Sequence, residues 1–356
     1  VWILSTILKG VINLRYKLSA LFRMKWKYLN ELCREKVRIN LITLVASGQG
    51  MFMKNGIILS IADRIKDALP IPTDEFRKRL EEDCYVIWKL PQFDAQEITQ
   101  TPVVPSYADY VESKNAELHG AYLSAHFQAG LWPVVYQGEN EGHLIRHVCP
   151  MLQAEEKISS QGAKYDFYPH IDNPDLYITG EAPSNRLGGC PDTLTLLCLR
   201  KEEGVHTSLL KLDQILDKLS DKDIAILASP SFKIKRPASF TEGASIEGVP
   251  IIVKDKGVWY SRFDWHNTQG MTLEAEASLE KMRFITLEHD LWFNVPLEPG
   301  DAVTFLNQRT MHTRNAFEPR FDGTDRWLLR IFAMKRRPTD TQLVDSSVCL
   351  HHLRTI

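Results

Sequence analysis

The apolar positions of the chain follow two different periods, and the change comes near Trp132. From Asp63 to Glu82 the residues Ile65, Leu69, Ile71, Phe76 and Leu80 recur at roughly helical spacing, and Pro70 and Pro72 break the run, so two short helices are predicted. Residues 106–131 carry a helical pattern as well. Beyond Trp132 come short apolar runs punctuated by Gly, Pro, Asn and Asp: LTLLCLR (194–200), IAIL (224–227), VPIIVK (249–254), GVWYSRFD (257–264) and DAVTFLN (301–307). Such runs predict strands. One helix is predicted among them, over 272–293, with Thr272 as its N-cap and Glu274 and Glu276 in its first turn. There is no internal repeat, no regular βα alternation and no G-x-G-x-x-G. The pattern therefore predicts an α+β protein built on a β-sandwich or jelly roll.

Composition narrows the class without naming a function. The chain has 356 residues, 44% hydrophobic and 25% charged, which excludes disorder, collagen and coiled coil. A chain of this length buries about 75% of its unfolded surface and needs no disulfide staples. Lys plus Arg number 43 and Asp plus Glu 45, a net charge of -2, so neither a nucleic-acid nor a membrane partner is expected. The six cysteines form no C-x-x-C, which predicts reduced thiols and a cytoplasmic location. Residues 1–23 are apolar but are interrupted by Lys9, Arg15 and Lys17, whereas a membrane span wants about 20 nearly uninterrupted apolar residues. Their order, apolar before basic, is not that of a secretory signal. The chain begins with Val1, and Met24, Met51 and Met53 lie downstream. Residues 1–52 are expected to be an upstream extension or an amphipathic helical arm, 53–340 the main domain and 341–356 a C-terminal tail.

The candidate chemistry begins at Tyr168-Pro169-His170-Ile171-Asp172. On an extended strand, residues i and i+2 share a face, so the His170 imidazole and the Asp172 carboxylate can converge on one ion. His312, beyond DAVTFLN and a turn, is the candidate third ligand. Two His and one carboxylate on one side of an octahedron leave the open positions that non-haem Fe(II) oxygenases use. H-x-D alone recurs by chance and carries little weight. Arg326 and Arg330 lie an even number of positions apart on the predicted strand DRWLLRIF and so share a face. A guanidinium fork suits a carboxylate such as the distal one of 2-oxoglutarate. An edge strand with solvated arginines would account for RWLLR, but not for the His-Thr-Arg and Phe-Asp-Gly-Thr-Asp before it.

The stretch NQRTMHTRNAFEPRFDGTDRWLLR resembles the C-terminal signature of the clavaminate synthase-like Fe(II)/2-oxoglutarate oxygenases, related to taurine dioxygenase, and in particular their arginine, asparagine and lysine hydroxylase branch. The resemblance continues through VVYQGENEGHLIRHVCP, EEKISSQGAKYDFYPHIDNP and LTLLCLRKEEGVHTS, over roughly residues 60–337. It implies a double-stranded β-helix, a cupin-like jelly roll with flanking helices, and Fe(II), 2-oxoglutarate and O2 as cofactor and co-substrates. It further implies His170, Asp172 and His312 as iron ligands, with Asp172 where branch members usually carry Glu; a retained carboxylate disfavours halogenation. Arg326 would hold 2-oxoglutarate, joined by Thr207. For an amino-acid substrate it implies Glu139 toward the α-ammonium, Arg330 toward the α-carboxylate, Asp264 with His266 toward the side chain, and Ser160 as a further substrate contact. Members that bind a guanidinium carry Asp-x-Asp where this chain has Asp264-Trp265-His266, so lysine or a neutral polar amino acid is expected ahead of arginine. The alternatives are a carrier-bound amino acid, a sulfonate or a betaine as substrate, desaturation or cyclisation, and a metal-binding cupin-like module without turnover. No clear basic patch for a carrier protein stands out.

Overall fold

Alternation of apolar side chains along a few long strands sets the architecture. In the computed structural model, which describes residues 50–104, 115–152, 154–157, 159, 161–182, 184 and 186–355, the largest sheet has seven strands. They are β1 (Tyr85–Lys89), β2 (Trp132–Tyr136), β3 (Arg146–Val148), β5 (Thr193–Arg200), β13 (Asp301–Leu306), β15 (Trp327–Met334) and β16 (His352–Leu353). The order is β1-β13-β5-β15-β2-β16, and β3 also pairs with β15. A second sheet has the order β12-β6-β14-β4, from β4 (Phe167–His170), β6 (Thr207–Lys211), β12 (Phe293–Asn294) and β14 (Thr310–Arg314). Because side chains alternate across a sheet, Leu196, Val303, Phe305 and Leu328 of the large sheet join Leu209 and Met311 of the smaller one in one core. Their neighbours Leu197, Ala302, Leu329 and Ile331 face the other way and pack with the helices α2 (Thr73–Asp83) and α3 (Ala116–Gln128). β7 (Phe232–Lys235), β8 (Ser245–Val249) and β11 (Thr268–Gly270) make a three-stranded sheet, and β9 (Ile252–Asp255) pairs with β10 (Val258–Ser261). The helices α1 (Gly50–Ala62), α4 (Leu212–Leu216), α5 (Asp221–Leu227) and α6 (Leu273–Thr286) complete the fold. Among the described residues no helix is long and apolar enough to cross a membrane. Residues 1–49, and with them nearly all of the expected extension or arm, lie outside the described residues, as do 106–114 of the second predicted helical region.

Several elements depart from expectation for local reasons. Between Asp63 and Pro72 there is no helix, and the single helix of this region, α2, starts only at Thr73. The Gln128 side chain takes over the backbone here, accepting from Ala68 N (3.2 Å) and Leu69 N (3.1 Å) and donating to Ile65 O (3.2 Å). Pro70 and Pro72 have no N–H for a helix to use. The run IAIL, expected as a strand, belongs to α5, because Ser220 caps the segment and accepts from Asp223 N at 3.1 Å. VPIIVK is divided at Pro250 between β8 and β9, which sit in different sheets. The helix from Thr272 stops at Thr286, whose carbonyl accepts from the Trp292 indole at 2.8 Å. Within 341–356, expected as a tail, β16 runs parallel to β2 and extends the large sheet.

The face of the large sheet under α3 carries a buried polar chain. The Trp88 indole donates to Thr304 Oγ1 (3.0 Å), Thr304 and Thr195 hydroxyls meet at 2.9 Å, and Thr195 reaches His126 Nε2 at 2.9 Å. His126 Nδ1 must donate to the Tyr122 carbonyl (2.7 Å), so Nε2 is the acceptor and every proton in the chain is assigned. Burial pushes the His126 pKa down to about 4 from 6.5, with the Tyr122 bond opposing in part. A depressed folded-state pKa means that the unfolded chain binds the proton more tightly, so this contribution to stability is intact above about pH 6.5 and is lost as pH falls toward about 4. The loss is on the order of 3 kcal/mol. In denaturant titrations at pH 7 and pH 4, His126→Gln is expected to be the less stable protein at pH 7 but to lose less on acidification than wild type. Parallel pH profiles would show that His126 is not the titrating group.

Candidate active site

His170 ends β4, His312 sits in the middle of β14, and the antiparallel register sets the two directly opposite. Their ring centroids are 4.1 Å apart. His170 Nδ1 donates to the Tyr168 carbonyl at 2.8 Å, which fixes the tautomer and turns the Nε2 lone pair outward. That buried Nε2 has no hydrogen-bond partner. Asp172 lies just past the end of β4, on a loop clamped by Asn307: Asp172 N donates to Asn307 Oδ1 (3.0 Å) and Asn307 Nδ2 donates to Asp172 O (3.0 Å). Asp172 Oδ2 stands 3.7 Å from His312 Nε2, and one ligand atom from each of the three residues lies within 4.8 Å of the others.

The protonation states suit a cation. Burial, reinforced by His170 and Arg330 and opposed by Asp172, pushes the His312 pKa down to about 3, so the imidazole is neutral near pH 7. Burial alone would raise Asp172, but Arg330, with His312, His170 and Arg146, outweighs it and holds the carboxyl below its usual range. A neutral His312 imidazole, an ionised Asp172 and the orphaned buried Nε2 of His170 fit a facially coordinated divalent metal.

The three residues open onto a cavity of about 660 Å³ whose wall also carries Arg146, Thr207, Arg326 and Arg330. Arg326 Nη2 donates to Thr207 Oγ1 at 2.8 Å, so the structure brings these two expected partners together. Burial lowers the Arg326 pKa to about 10, which leaves it charged at neutral pH. The Phe-Asp-Gly-Thr-Asp stretch is the turn that presents it. The Asp325 carboxylate accepts from Arg320 N (2.8 Å) and Phe321 N (2.7 Å), and Phe321 and Gly323 adopt positive φ of 55° and 86°. Arg326, Leu328 and Arg330 line the cavity while Trp327 and Leu329 face the helices, the period-2 arrangement expected of this strand.

The remaining expected residues are less simply placed. Arg330 donates to Glu139 Oε1 at 2.6 Å and lies 3.5 Å from Asp172. Glu139 is only 1% exposed and sits behind Arg330 rather than in the cavity wall, so the two are paired with each other and not set apart as a clamp. Asp264 and His266 both line the cavity. Asp264, expected to face the substrate side chain, already has one set of donors: Oδ1 accepts from His266 N (2.9 Å) and Asn267 N (3.0 Å), and Oδ2 from Asn267 Nδ2 (2.8 Å). Its own loop satisfies it. Ser160 lies outside the described residues. The positioning roles of Asn307 and Asp325 and the presence of Arg146 and Lys235 in the wall were not foreseen; only the turn chemistry of Asp-Gly-Thr-Asp offered a local signal, for Asp325.

No protein-family model matches the chain. It is 33% identical over 208 residues to the L-asparagine oxygenase of Streptomyces coelicolor, and the match spans 57% of each protein. It is 31% identical over 294 residues to the enduracididine beta-hydroxylase of Streptomyces hygroscopicus, covering 76% of this chain and 82% of the relative. Among solved structures, asparagine oxygenase in complex with Fe(II), 3-hydroxyasparagine and succinate superposes with a TM-score of 0.68 at 21% identity, over 85% of this chain and 98% of that one. The non-heme iron oxygenase OrfP with Fe and alpha-ketoglutaric acid superposes with a TM-score of 0.67 at 22% identity, over 88% and 94%. At these identities the structures establish a shared fold.

Removing one of three ligands leaves a divalent ion held by two side chains and water. His170→Ala and His312→Ala are each expected to weaken Fe(II) binding by about 100-fold or more, and Asn307→Ala, which loosens the Asp172 loop, by about tenfold. Anaerobic competition against a chromogenic chelator measures this. Wild-type affinity in His312→Ala would place the metal elsewhere.

Proposed function

This chain belongs to the amino-acid hydroxylase branch of the clavaminate synthase-like Fe(II)/2-oxoglutarate oxygenases, and from that premise we propose that it hydroxylates an unactivated C–H bond of a free, polar L-amino acid. 2-Oxoglutarate and O2 are consumed, and succinate and CO2 are released with the hydroxy-amino acid. The observation that carries this is the convergence of His170, Asp172 and His312 on the same cavity as the Arg326–Thr207 pair. The two sheets that share one apolar core support taking the fold as a double-stranded β-helix with flanking helices.

His170, Asp172 and His312 would hold Fe(II), which when bound would supply, with 2-oxoglutarate and O2, the oxidising power for C–H cleavage. Arg326 offers its guanidinium fork to the distal carboxylate of 2-oxoglutarate, and the Thr207 hydroxyl, already bonded to Arg326, adds a donor to the same group. Arg330 receives the α-carboxylate of the substrate. As it turns toward that carboxylate, Glu139 is released to accept from the α-ammonium, so the zwitterion replaces the Arg330–Glu139 contact of 2.6 Å with two of its own. Three buried guanidiniums, Arg146, Arg326 and Arg330, give the cavity the positive charge that two carboxylate-bearing molecules require. The expected preference for lysine finds no support at Asp264, whose oxygens are engaged by its own loop.

A screen of free amino acids, scored by succinate release and by a mass gain of one oxygen, tests the reaction. With the substrate so found, Arg326→Lys is expected to raise the KM for 2-oxoglutarate about tenfold while changing that for the amino acid little, because one ammonium cannot reproduce a planar two-bond fork. Equal effects on both would remove Arg326 from the co-substrate site.

A further inference from the structure

Part of the cavity wall is built by two segments far apart in sequence. Lys235 ends β7, and Pro237, Ala238 and Ser239 follow it, all lining the cavity beside His266 and Asn267. This wall is fixed at three points. Lys235 N donates to Asn267 O at 2.8 Å. The buried Arg236 side chain donates to Asp175 Oδ2 (2.6 Å) and to Thr355 O (3.1 Å) and lies over the Phe240 ring. Phe240 in turn bridges to Glu139, and Thr241 N donates to Gly138 O at 2.8 Å. The Lys235–Ser239 segment is therefore tied directly to the strand end that carries Glu139.

The charges of the cavity are then unequal in a telling way. Its wall carboxylates among the described residues are Asp172, Asp264 and Glu156. Asp172 belongs to the candidate metal centre, Asp264 is saturated by its own loop, and Glu156 is exposed and faces Lys164 at 3.5 Å. Lys235 has no ion pair and no side-chain hydrogen bond among the described residues, whereas Lys233 two positions away is paired with Glu247 at 2.7 Å. Lys235 is exposed at the rim of this wall, so a substrate ammonium or guanidinium entering here would meet a cation and, among the described wall residues, no carboxylate without a donor of its own. A carboxylate would gain a charge-assisted bond.

We propose that Lys235 is a specificity-determining residue and that the amino-acid substrate bears a side-chain oxygen acceptor, a carboxylate or carboxamide, which Lys235 binds. This rests on the free-amino-acid reaction above and names its substrate class. Ser239 lines the same cavity, and its hydroxyl is a donor for the second oxygen of such a group under this proposal.

The test compares L-aspartate, L-glutamate, L-asparagine and L-glutamine with L-lysine and L-arginine, for wild type, Lys235→Arg, Lys235→Ala and Lys235→Glu. The best acceptor substrate is expected to exceed both cationic ones in kcat/KM. Lys235→Ala should cut that ratio about tenfold, mainly through KM, Lys235→Glu should cut it further, and Lys235→Arg should keep most of it. Lysine or arginine outranking all four acceptors in wild type, or an unchanged ratio in Lys235→Ala, overturns the proposal. Binding of each amino acid is also followed as a change in the visible absorption of the anaerobic Fe(II)·2-oxoglutarate complex. A complex that responds only to lysine or arginine, or to none of the six, overturns this assignment alone; the free-amino-acid reaction falls only if no amino acid of the wider screen gives a response.

Discussion

The pairing of β4 with β14 is the constraint on which the site depends. It sets His170 opposite His312, and a slip of one residue would send one imidazole to the other face of the sheet. The register is held from both sides and from below. β14 is also paired with β6 along its whole length, from Thr310 opposite Lys211 to Arg314 opposite Thr207. Thr313 Oγ1 donates to Phe167 O at 2.6 Å, and the Arg314 guanidinium donates to Ala163 O (3.0 Å) and Tyr165 O (3.1 Å), so the approach to β4 is tied down as well. The β6–β14 pairing brings Thr207 opposite Arg314 at the end of the sheet, within reach of Arg326 on the facing sheet.

Electrostatics decide how this frame is used. A buried guanidinium is tolerable only if paired, and Arg330 is paired with Glu139 and stands beside Asp172. Through the second contact Arg330 helps to keep Asp172 ionised, as a metal ligand must be. Through the first it is held against Glu139, the pair proposed to open for a substrate zwitterion. One arginine thus touches both the candidate metal centre and the proposed substrate site.

Much of the site was legible because it is local or strictly periodic. His170 and Asp172 are neighbours in sequence, and Arg326 and Arg330 share a face by period alone, so no tertiary knowledge was needed to group each pair. Thr207 and Glu139 came only through family resemblance, since nothing in VHTS or GENEG says what lies across the fold. The errors have equally physical causes. IAIL is four apolar residues, too short for period to tell helix from strand, and the deciding feature was the cap at Ser220. Asp264 was assigned to the substrate side chain because its charge was counted without its turn, in which His266 and Asn267 supply three donors. Asn307 and Lys235 act through partners more than thirty positions distant or through a cavity wall, and no local pattern announces either.

The central claim is that one cavity of this chain holds Fe(II) and 2-oxoglutarate together. Anaerobic titration of the wild-type protein with both, followed in the visible range, tests it most directly. A metal-to-ligand charge-transfer band that requires both additions and saturates at one of each per chain is the predicted result. Absence of any band at saturating Fe(II) and 2-oxoglutarate would contradict it.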